Sequence, residues 1–204
     1  MTDPVSDLAS DSGETTAVVL AAGAGTRFAG TSHKLDAILG GRPLIRHAVD
    51  AALEAAIGPV IVVTAGHVTT PLPPTVTTVA NESWADGQMS SLRVGIASAS
   101  ARGAHAVVVG LGDQPFVRAD AWRAVAAADA PIAVATYDGR RGHPVRLHES
   151  VWDLLPTGGD EGARSLMRLR PDLVVEVPCQ GSATDVDTLE DLRRWQNNSS
   201  TSSP

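Results

Sequence analysis

Residues 17–27 read AVVLAAGAGTR, and the interpretation of the whole chain starts from this stretch. A short run of small and branched apolar residues passes directly into a glycine-rich turn. Such runs are typical of strands that are buried on both faces of a parallel sheet. Two further runs, at residues 60–65 and 106–111, have a similar composition and also end beside glycine. The sequence therefore predicts a sheet of buried strands that end in glycine-containing turns.

Segments with helical periodicity alternate with the strands. Helices are expected at residues 44–57, 89–101, 121–128, 162–169 and 189–195, and weaker strands at residues 76–80, 132–136, 144–147 and 173–177. This alternation is typical of a three-layer α/β fold with a mainly parallel central sheet. We expect one domain over residues 16–196, with disordered ends at residues 1–15 and 197–204.

Composition narrows the class of protein. The 204 residues are 43% hydrophobic and 19% charged, which is enough apolar material for a folded core. A net charge of −7 argues against binding of nucleic acid or anionic membranes through bulk charge. The single cysteine, Cys179, excludes an internal disulfide framework, and no apolar run reaches the ~20 residues of a membrane span. These features predict a cytoplasmic protein.

The glycine-rich turn after the first strand suits phosphate binding. Glycines leave backbone N–H groups open to phosphate oxygens, and Arg27 and Lys34 would add positive charge. A Walker A loop is excluded because Lys34 is not part of a Gly-Lys-Ser/Thr sequence. A dinucleotide fingerprint is excluded because Phe28 stands where its third glycine is required. A glycine turn without a ligand remains the structural alternative.

Two acidic segments are candidates for a metal site. Asp113 follows the strand at residues 106–111 in a turn that reads GDQP, and a later segment, TDVDT, contains Asp185 and Asp187. Carboxylates at strand ends are suited to Mg²⁺ that bridges phosphates. The alternatives are a simple turn residue at Asp113 and a solvated helix cap in the later segment. We favour Asp113 and Asp185 as metal ligands, with Asp187 as the alternative to Asp185.

Six motifs occur together in a familiar order. They are LAAGAGTR at residues 20–27, NESWADGQMSSL at 81–92, GDQP at 112–115, GHPV at 142–145, GDEGAR at 159–164 and DVDT at 185–188. In this order they resemble the molybdenum cofactor cytidylyltransferase family, within the MobA/MocA-like NTP transferase superfamily. The resemblance implies a Rossmann-like nucleotidyltransferase fold with a mixed, mainly parallel sheet. It also implies transfer of CMP from CTP to the phosphate of a molybdopterin-type cofactor, with release of pyrophosphate.

The resemblance further implies roles for individual residues. Nucleotide-binding residues would be Leu20, Ala21, Ala22, Gly23, Ala24, Gly25, Thr26, Gly87 and Ser91. Arg27, Lys34 and Asp113 would be catalytic, Asp113 and Asp185 would bind Mg²⁺, and a loop of Gly142, His143 and Pro144 would contact a phosphorylated pterin acceptor. Ala22 favours CTP, although thymidylyl- and uridylyltransferases share this residue.

Two alternative functions differ in acceptor or in activity. One is an NTP transferase that acts on another phosphorylated acceptor, such as a sugar phosphate, an alcohol phosphate or phospholactate. The other is a non-catalytic nucleotide- or cofactor-binding chaperone, which would not need metal ligands at both ends of the site. The family also implies hand-over of the product to a molybdenum hydroxylase. Neither nucleic acid nor a membrane is expected as a partner.

Overall fold

Strands and helices alternate along the chain, as the apolar periodicity predicts. The computed structural model describes residues 14–26, 28 and 33–200, the last four by their backbone alone. The strands are β1 (Thr15–Ala21), β2 (Ile38–Leu39), β3 (Arg42–Pro43), β4 (Val60–Thr64), β5 (Val76–Ala80), β6 (Ala106–Leu111), β7 (Ile132–Tyr137), β8 (Arg140–His148) and β9 (Val174–Pro178). The α-helices are α1 (Leu44–Ala55), α2 (Gln88–Ser100), α3 (Ala119–Ala126), α4 (Arg164–Leu169) and α5 (Leu189–Ser200). Short 3₁₀-helices cover Lys34–Asp36, Trp84–Asp86, Glu149–Leu154 and Pro171–Leu173.

Seven strands form one central sheet in the order β5-β4-β1-β6-β8-β7-β9. β1 pairs in parallel with β4 and β6, β4 with β5, and β7 with β9. Within the described chain, β8 alone of these seven runs antiparallel to its neighbours, β6 and β7. Strands β2 and β3 form a separate hairpin. A mixed, mainly parallel sheet flanked by helices confirms the predicted three-layer Rossmann-like fold.

The position of β1 explains why its sequence is apolar throughout and does not alternate between apolar and polar residues. Ala17 and Val19 belong to the apolar core that also contains side chains of α1 and α3. Val18 and Leu20 belong to the core on the other face, which includes side chains of α2 and α4. Both faces of the strand are therefore buried, and each position favours an apolar residue.

The prediction of a loop at residues 142–144 is wrong, because these residues lie within β8. Strand β7 turns into β8 at Asp138 and Gly139, where φ is 49° and 75°. Positive φ at two successive residues is typical of a tight hairpin turn, and Asp-Gly is a common sequence for it. The hairpin carries residues 142–144 along the sheet, next to the antiparallel strand β7, rather than into a free loop.

The C-terminal helix brings the TDVDT segment back to the sheet. Val186 and Leu192 pack with Phe28, Leu39 and Leu44 in a third apolar cluster. The Val186 N–H donates to the carbonyl oxygen of Asp113 at 3.0 Å, which fixes the segment beside the end of β6. Helix α5 continues to Ser200, past residue 196 where the sequence predicts the domain to end. Among the helices that the structure describes, none is long and apolar enough to cross a membrane.

Candidate active site

The glycine-rich turn after β1 forms one wall of a groove of about 440 Å³. The groove is lined by most of the predicted nucleotide and metal residues, namely Leu20, Ala22, Gly23, Ala24, Gly25, Thr26, Lys34, Gly87, Ser91, Asp113 and Asp185. Ala21 is not on this wall and lies in the apolar core instead. Arg27 lies outside the described residues. Most of these residues were predicted from segments that are far apart in the chain, and in the structure they line the same groove.

A close contact between the glycine-rich turn and Lys34 explains why residue 25 is a glycine. Gly25 has a φ of 63°, a conformation that side chains other than hydrogen disfavour. A Cβ atom at this residue would lie 3.1 Å from the Cβ of Lys34, so the glycine also makes space for the lysine stem. His33 adds a hydrogen bond between its Nε2 and the carbonyl oxygen of Gly23, at 3.0 Å. The Lys34 side chain therefore borders the glycine-rich turn directly.

Lys34 joins the two acidic segments. Its Nζ donates to Oδ2 of Asp113 at 2.7 Å and to Oδ1 of Asp187 at 2.9 Å. Burial lowers the pKa of Lys34, but the charges and hydrogen bonds of Asp113 and Asp187 outweigh this effect and raise it above its usual value. The side chain is therefore a stable ammonium ion. Asp187, which the sequence left as the alternative to Asp185, is the partner of this ammonium.

Asp185 lies in the same cluster but has a different partner. Its Oδ1 accepts a hydrogen bond from Nε2 of Gln114 at 2.7 Å, and the same nitrogen donates to the carbonyl oxygen of Ala183 at 3.0 Å. Burial, followed by the charge of Asp113, raises the pKa of Asp185, while the bond from Gln114 lowers it. Gln114 is thus a positioning residue, and its place directly after Asp113 in GDQP could have indicated this role.

The carboxylates suit a divalent cation that a bound nucleotide helps to hold. Oδ1 of Asp113 is buried without a hydrogen-bond partner, so one hard oxygen ligand remains available. Within the described residues, no three His, Cys, Asp or Glu side chains are arranged to hold a metal ion by themselves. Mg²⁺ sites of phosphoryl-transfer enzymes commonly use one or two carboxylates and complete the shell with substrate phosphates and water. The residues present fit that kind of site.

The 3₁₀-helix that carries Lys34 is anchored by Asp36. The carboxylate of Asp36 accepts hydrogen bonds from the backbone N–H and the hydroxyl of both Thr69 and Thr70, at 2.6–3.1 Å. Burial opposes ionisation of Asp36, but these bonds outweigh it and lower its pKa below the usual value. The sequence analysis missed this anchor, because nothing in the pattern links residue 36 to residues 69 and 70.

The opposite wall of the groove begins at the N-terminus of α2. Asn81 is buried and donates through Nδ2 to the hydroxyls of Ser90 and Ser91, at 2.9 Å each. Gly87 has a φ of 97°, and a Cβ atom there would collide with the backbone of Gly159. Gly87, predicted to bind the nucleotide, is therefore held against the segment at 159–164, whereas the hydroxyl of Ser91 is held by Asn81. Trp84, Gln88 and Asp160 line the same wall.

A second cavity, which we call the chamber, adjoins the groove. It measures about 250 Å³ and has walls of Leu20, Leu92, Val109, Val134, Val145, Leu147 and Met167. Gly142 and His143 line it, whereas Pro144 is buried and not part of the wall. Polar groups come from Gln88, Glu161, Arg141, Arg164 and Arg168. Leu20, Gln88 and Arg164 line both cavities, so the chamber and the groove are neighbours.

His143 is a neutral group in the chamber wall. Burial, followed by the nearby charge of Arg164, lowers the pKa of His143 to about 4. Its Nδ1 is buried without a hydrogen-bond partner. The hydroxyl of Tyr137 donates to the backbone carbonyl of His143 at 2.7 Å and fixes this part of β8. The imidazole is therefore neutral and has one ring nitrogen without a hydrogen-bond partner.

Comparison with known proteins identifies the family. Residues 17–176 match the model of the MobA-like NTP transferase domain. This protein belongs to that family. No curated protein sequence matches the chain significantly.

Solved structures agree with this family in fold. Rv0371c from Mycobacterium tuberculosis H37Rv is 27% identical, with 90% of this chain and 98% of that chain covered and a TM-score of 0.78. The same mycobacterial protein has also been solved as a complex with manganese, at 28% identity, coverage of 90% and 98%, and a TM-score of 0.72. Mth528, a nucleotidyl transferase from Methanothermobacter thermautotroptrophicus, is 23% identical, with coverage of 93% and 99% and a TM-score of 0.76. Membership of the NTP transferase family supports nucleotidyl transfer as the general activity.

Proposed function

We propose that this protein transfers CMP from CTP to the phosphate of a molybdopterin-type cofactor, with Mg²⁺ as the divalent cation. One observation carries the proposal: the glycine-lined groove ends at Lys34 and at the carboxylates of Asp113, Asp185 and Asp187. A triphosphate in this groove would meet an ammonium and a cation site where its charge has to be neutralised. Family membership supports the reaction class, and the resemblance in sequence supplies the choice of CTP and of the pterin acceptor.

The chemistry needs charge control more than proton transfer. An oxygen of the acceptor phosphate forms a bond to the α-phosphorus as the bond to the β-phosphate oxygen breaks, and pyrophosphate leaves with that electron pair. An ionised phosphate is already a nucleophile, so no general base is required. Lys34 and the N–H groups of the glycine-rich turn would hold the triphosphate and stabilise its developing charge. A cation bound by Asp113 with Asp185 or Asp187 would supply further neutralisation.

The walls of the chamber favour a pterin over a sugar as the acceptor. Seven aliphatic or thioether side chains form much of its wall, and they suit the apolar faces of a heterocycle better than the hydroxyl groups of a sugar. A flat heterocycle presents apolar faces to such walls and could use Nδ1 of His143 at its polar edge. Arg164, at the junction of the two cavities, would attract the acceptor phosphate. A cytoplasmic location and hand-over to a molybdenum hydroxylase remain predictions from the sequence.

Calorimetry with Mg²⁺ and four nucleotides tests the proposal. We expect CTP to bind more tightly than GTP, UTP or ATP, and Asp113→Ala to weaken CTP binding about ten-fold and turnover about 100-fold. Asp120→Ala is the matched control, because Asp120 lies on the surface of α3 in an exposed ion pair with Arg118. A preference for GTP would contradict the choice of CTP and favour a guanylyltransferase. Absence of any nucleotide binding would overturn the proposal.

Acceptor assays with the same variant separate the catalyst from a carrier. If the protein is an enzyme, Asp113→Ala loses pyrophosphate release even when CTP and acceptor are saturating. If the protein only binds and delivers a cofactor, the variant retains acceptor binding and the wild type shows no turnover. Sugar phosphates, alcohol phosphates and phospholactate are assayed beside the pterin, and a higher turnover with any of them would replace the pterin as the acceptor.

A further inference from the structure

The position of Lys34 has a consequence for metal binding. Its side chain is only 11% exposed, and its ammonium occupies one oxygen of Asp113 and one of Asp187. Both ion pairs are short and lie in a partly buried site, where charges attract each other more strongly than in water. A divalent cation that binds these two oxygens directly has to take the place of the ammonium. Lys34 and a cation that uses these two oxygens therefore compete for the same ligands.

The remaining charge in the cluster still favours a further cation. The carboxylates of Asp113, Asp185 and Asp187 and the ammonium of Lys34 line one end of the groove. One oxygen of Asp113 has no hydrogen-bond partner. The cluster thus attracts positive charge, while two of its oxygens are already bound by Lys34.

A triphosphate in the groove offers Lys34 another partner. The stem of Lys34 borders Gly25, and both residues line the groove. Asp36 and His33 hold the backbone on either side of Lys34 in place. A rotation of the lysine side chain, without movement of the loop, would therefore take the ammonium from the carboxylates to phosphate oxygens beside the glycine-rich turn.

We propose that Lys34 is an exchangeable counter-ion, which competes with the divalent cation for Asp113 and Asp187 and is drawn away when a triphosphate binds. This inference rests on the proposed function, because it takes the groove as a nucleoside triphosphate site. Metal alone then binds weakly because it has to displace the ammonium. Nucleotide alone binds weakly because it has to draw the ammonium away from Asp113 and Asp187. The metal and the nucleotide together bind with positive coupling. Coupling of this kind acts equally in both directions.

The binding of Mn²⁺, measured by electron paramagnetic resonance, tests the competition without catalysis. In the absence of nucleotide, Lys34→Met should bind Mn²⁺ about ten-fold more tightly than the wild type, within the usual range of coupling between sites. Arg42→Met is the matched control, because it removes the same charge from an exposed ion pair with Asp50 and should leave Mn²⁺ affinity unchanged. The α,β-methylene analogue of CTP should raise Mn²⁺ affinity about ten-fold in the wild type and much less in Lys34→Met. Equal or weaker Mn²⁺ binding by Lys34→Met would overturn the inference.

A second measurement uses the wild type, so it does not depend on the folding of a variant. Lys34 is the only lysine in the chain, and lysine labelled with ¹⁵N at Nζ therefore gives a single ammonium signal. Mg²⁺ together with the CTP analogue should shift this signal far more than either one alone. An unchanged signal, with the analogue shown to be bound by calorimetry, would contradict the exchange. Failure of the analogue to bind any variant would count against the proposed function instead, while the Mn²⁺ comparison still decides the competition.

Discussion

Asp185 and Asp187 act differently although one residue separates them. Asp187 pairs with the ammonium of Lys34, whereas Asp185 depends on the amide of Gln114. The intervening Val186 is fully buried and anchors the segment in the apolar cluster. The two aspartates on either side of it line the groove. The sequence favoured Asp185 over Asp187 as a metal ligand, but it did not predict the partner of either, because both aspartates precede the same helix.

Replacement of Gln114 tests the control of Asp185. The bond from Gln114 lowers the pKa of Asp185, so Gln114→Ala should raise that pKa and extend the protonated form to higher pH. If activity needs ionised Asp185, the acid limb of the pH–rate profile should move to higher pH. At pH values on the acid limb, pyrophosphate release by the variant should be about ten-fold lower than that of the wild type.

The control for this experiment is Gln180→Ala, because Gln180 is exposed. It should leave the acid limb where it is in the wild type. The prediction fails if Gln114→Ala lowers activity equally at every pH, since Gln114 would then only support the fold of the segment.

At the scale of elements, the site depends on short pieces tied to each other by polar side chains. Asp36 links the 3₁₀-helix of Lys34 to the residues after β4. Asp36→Ala leaves the N–H and hydroxyl groups of Thr69 and Thr70 without their acceptor and frees the helix. We expect a loss of about 1–3 kcal/mol in the free energy of unfolding, measured with urea, because bonds to a charged group are lost.

Asp36→Ala should also lower pyrophosphate release about ten-fold, because the backbone that carries Lys34 is no longer held in place. Asp50→Ala is the control. Asp50 lies on α1, is not part of the groove, and pairs with Arg42 of β3 and Arg46 of α1. Its replacement should leave turnover unchanged. Full activity of Asp36→Ala despite reduced stability would show that the anchor does not position Lys34.

The elements themselves were largely predictable, since the buried strands are short runs of branched apolar residues. Strands β1, β4 and β6 and helices α1 and α2 begin and end close to the predicted residues. The strand predicted at residues 144–147 lies within β8, but the part from Arg140 to His143 was missed because Gly142 and Pro144 discourage the expectation of a strand. The hairpin with β7, set by Asp138 and Gly139, overrides that local preference.

Much of the candidate site was also predictable, because parallel strands bring their carboxyl ends together and the motifs follow those ends. The side-chain contacts that give Lys34, Asp185 and Asp187 their different partners were not predictable. The bonds of Lys34 to Asp113 and Asp187 join residues that are 79 and 153 positions apart. The chamber likewise depends on how α4 packs on the sheet, which no local pattern specifies.

The whole molecule should become more stable when the groove is filled, because its walls come from distant parts of the chain. Its lining includes Leu20, residues 22–26, Lys34, Trp84 and Ala85 with the start of α2, and the acidic segments. A ligand that contacts these segments together stabilises the folded state by about 2.7 kcal/mol at 100 times its Kd. For a chain of this size, that corresponds to a rise in Tm of about 5–10 °C.

Differential scanning calorimetry with CTP and Mg²⁺ measures this rise in Tm. Because the divalent cation and the triphosphate are expected to support each other's binding, the two together should raise Tm by more than the sum of their separate effects. Asp113→Ala should lose most of the rise, since the cation then lacks a ligand and the triphosphate keeps more of its charge. Asp120→Ala should retain it. A rise produced in full by CTP alone would mean that nucleotide binding does not involve the carboxylates, and that the groove and the acidic cluster work independently.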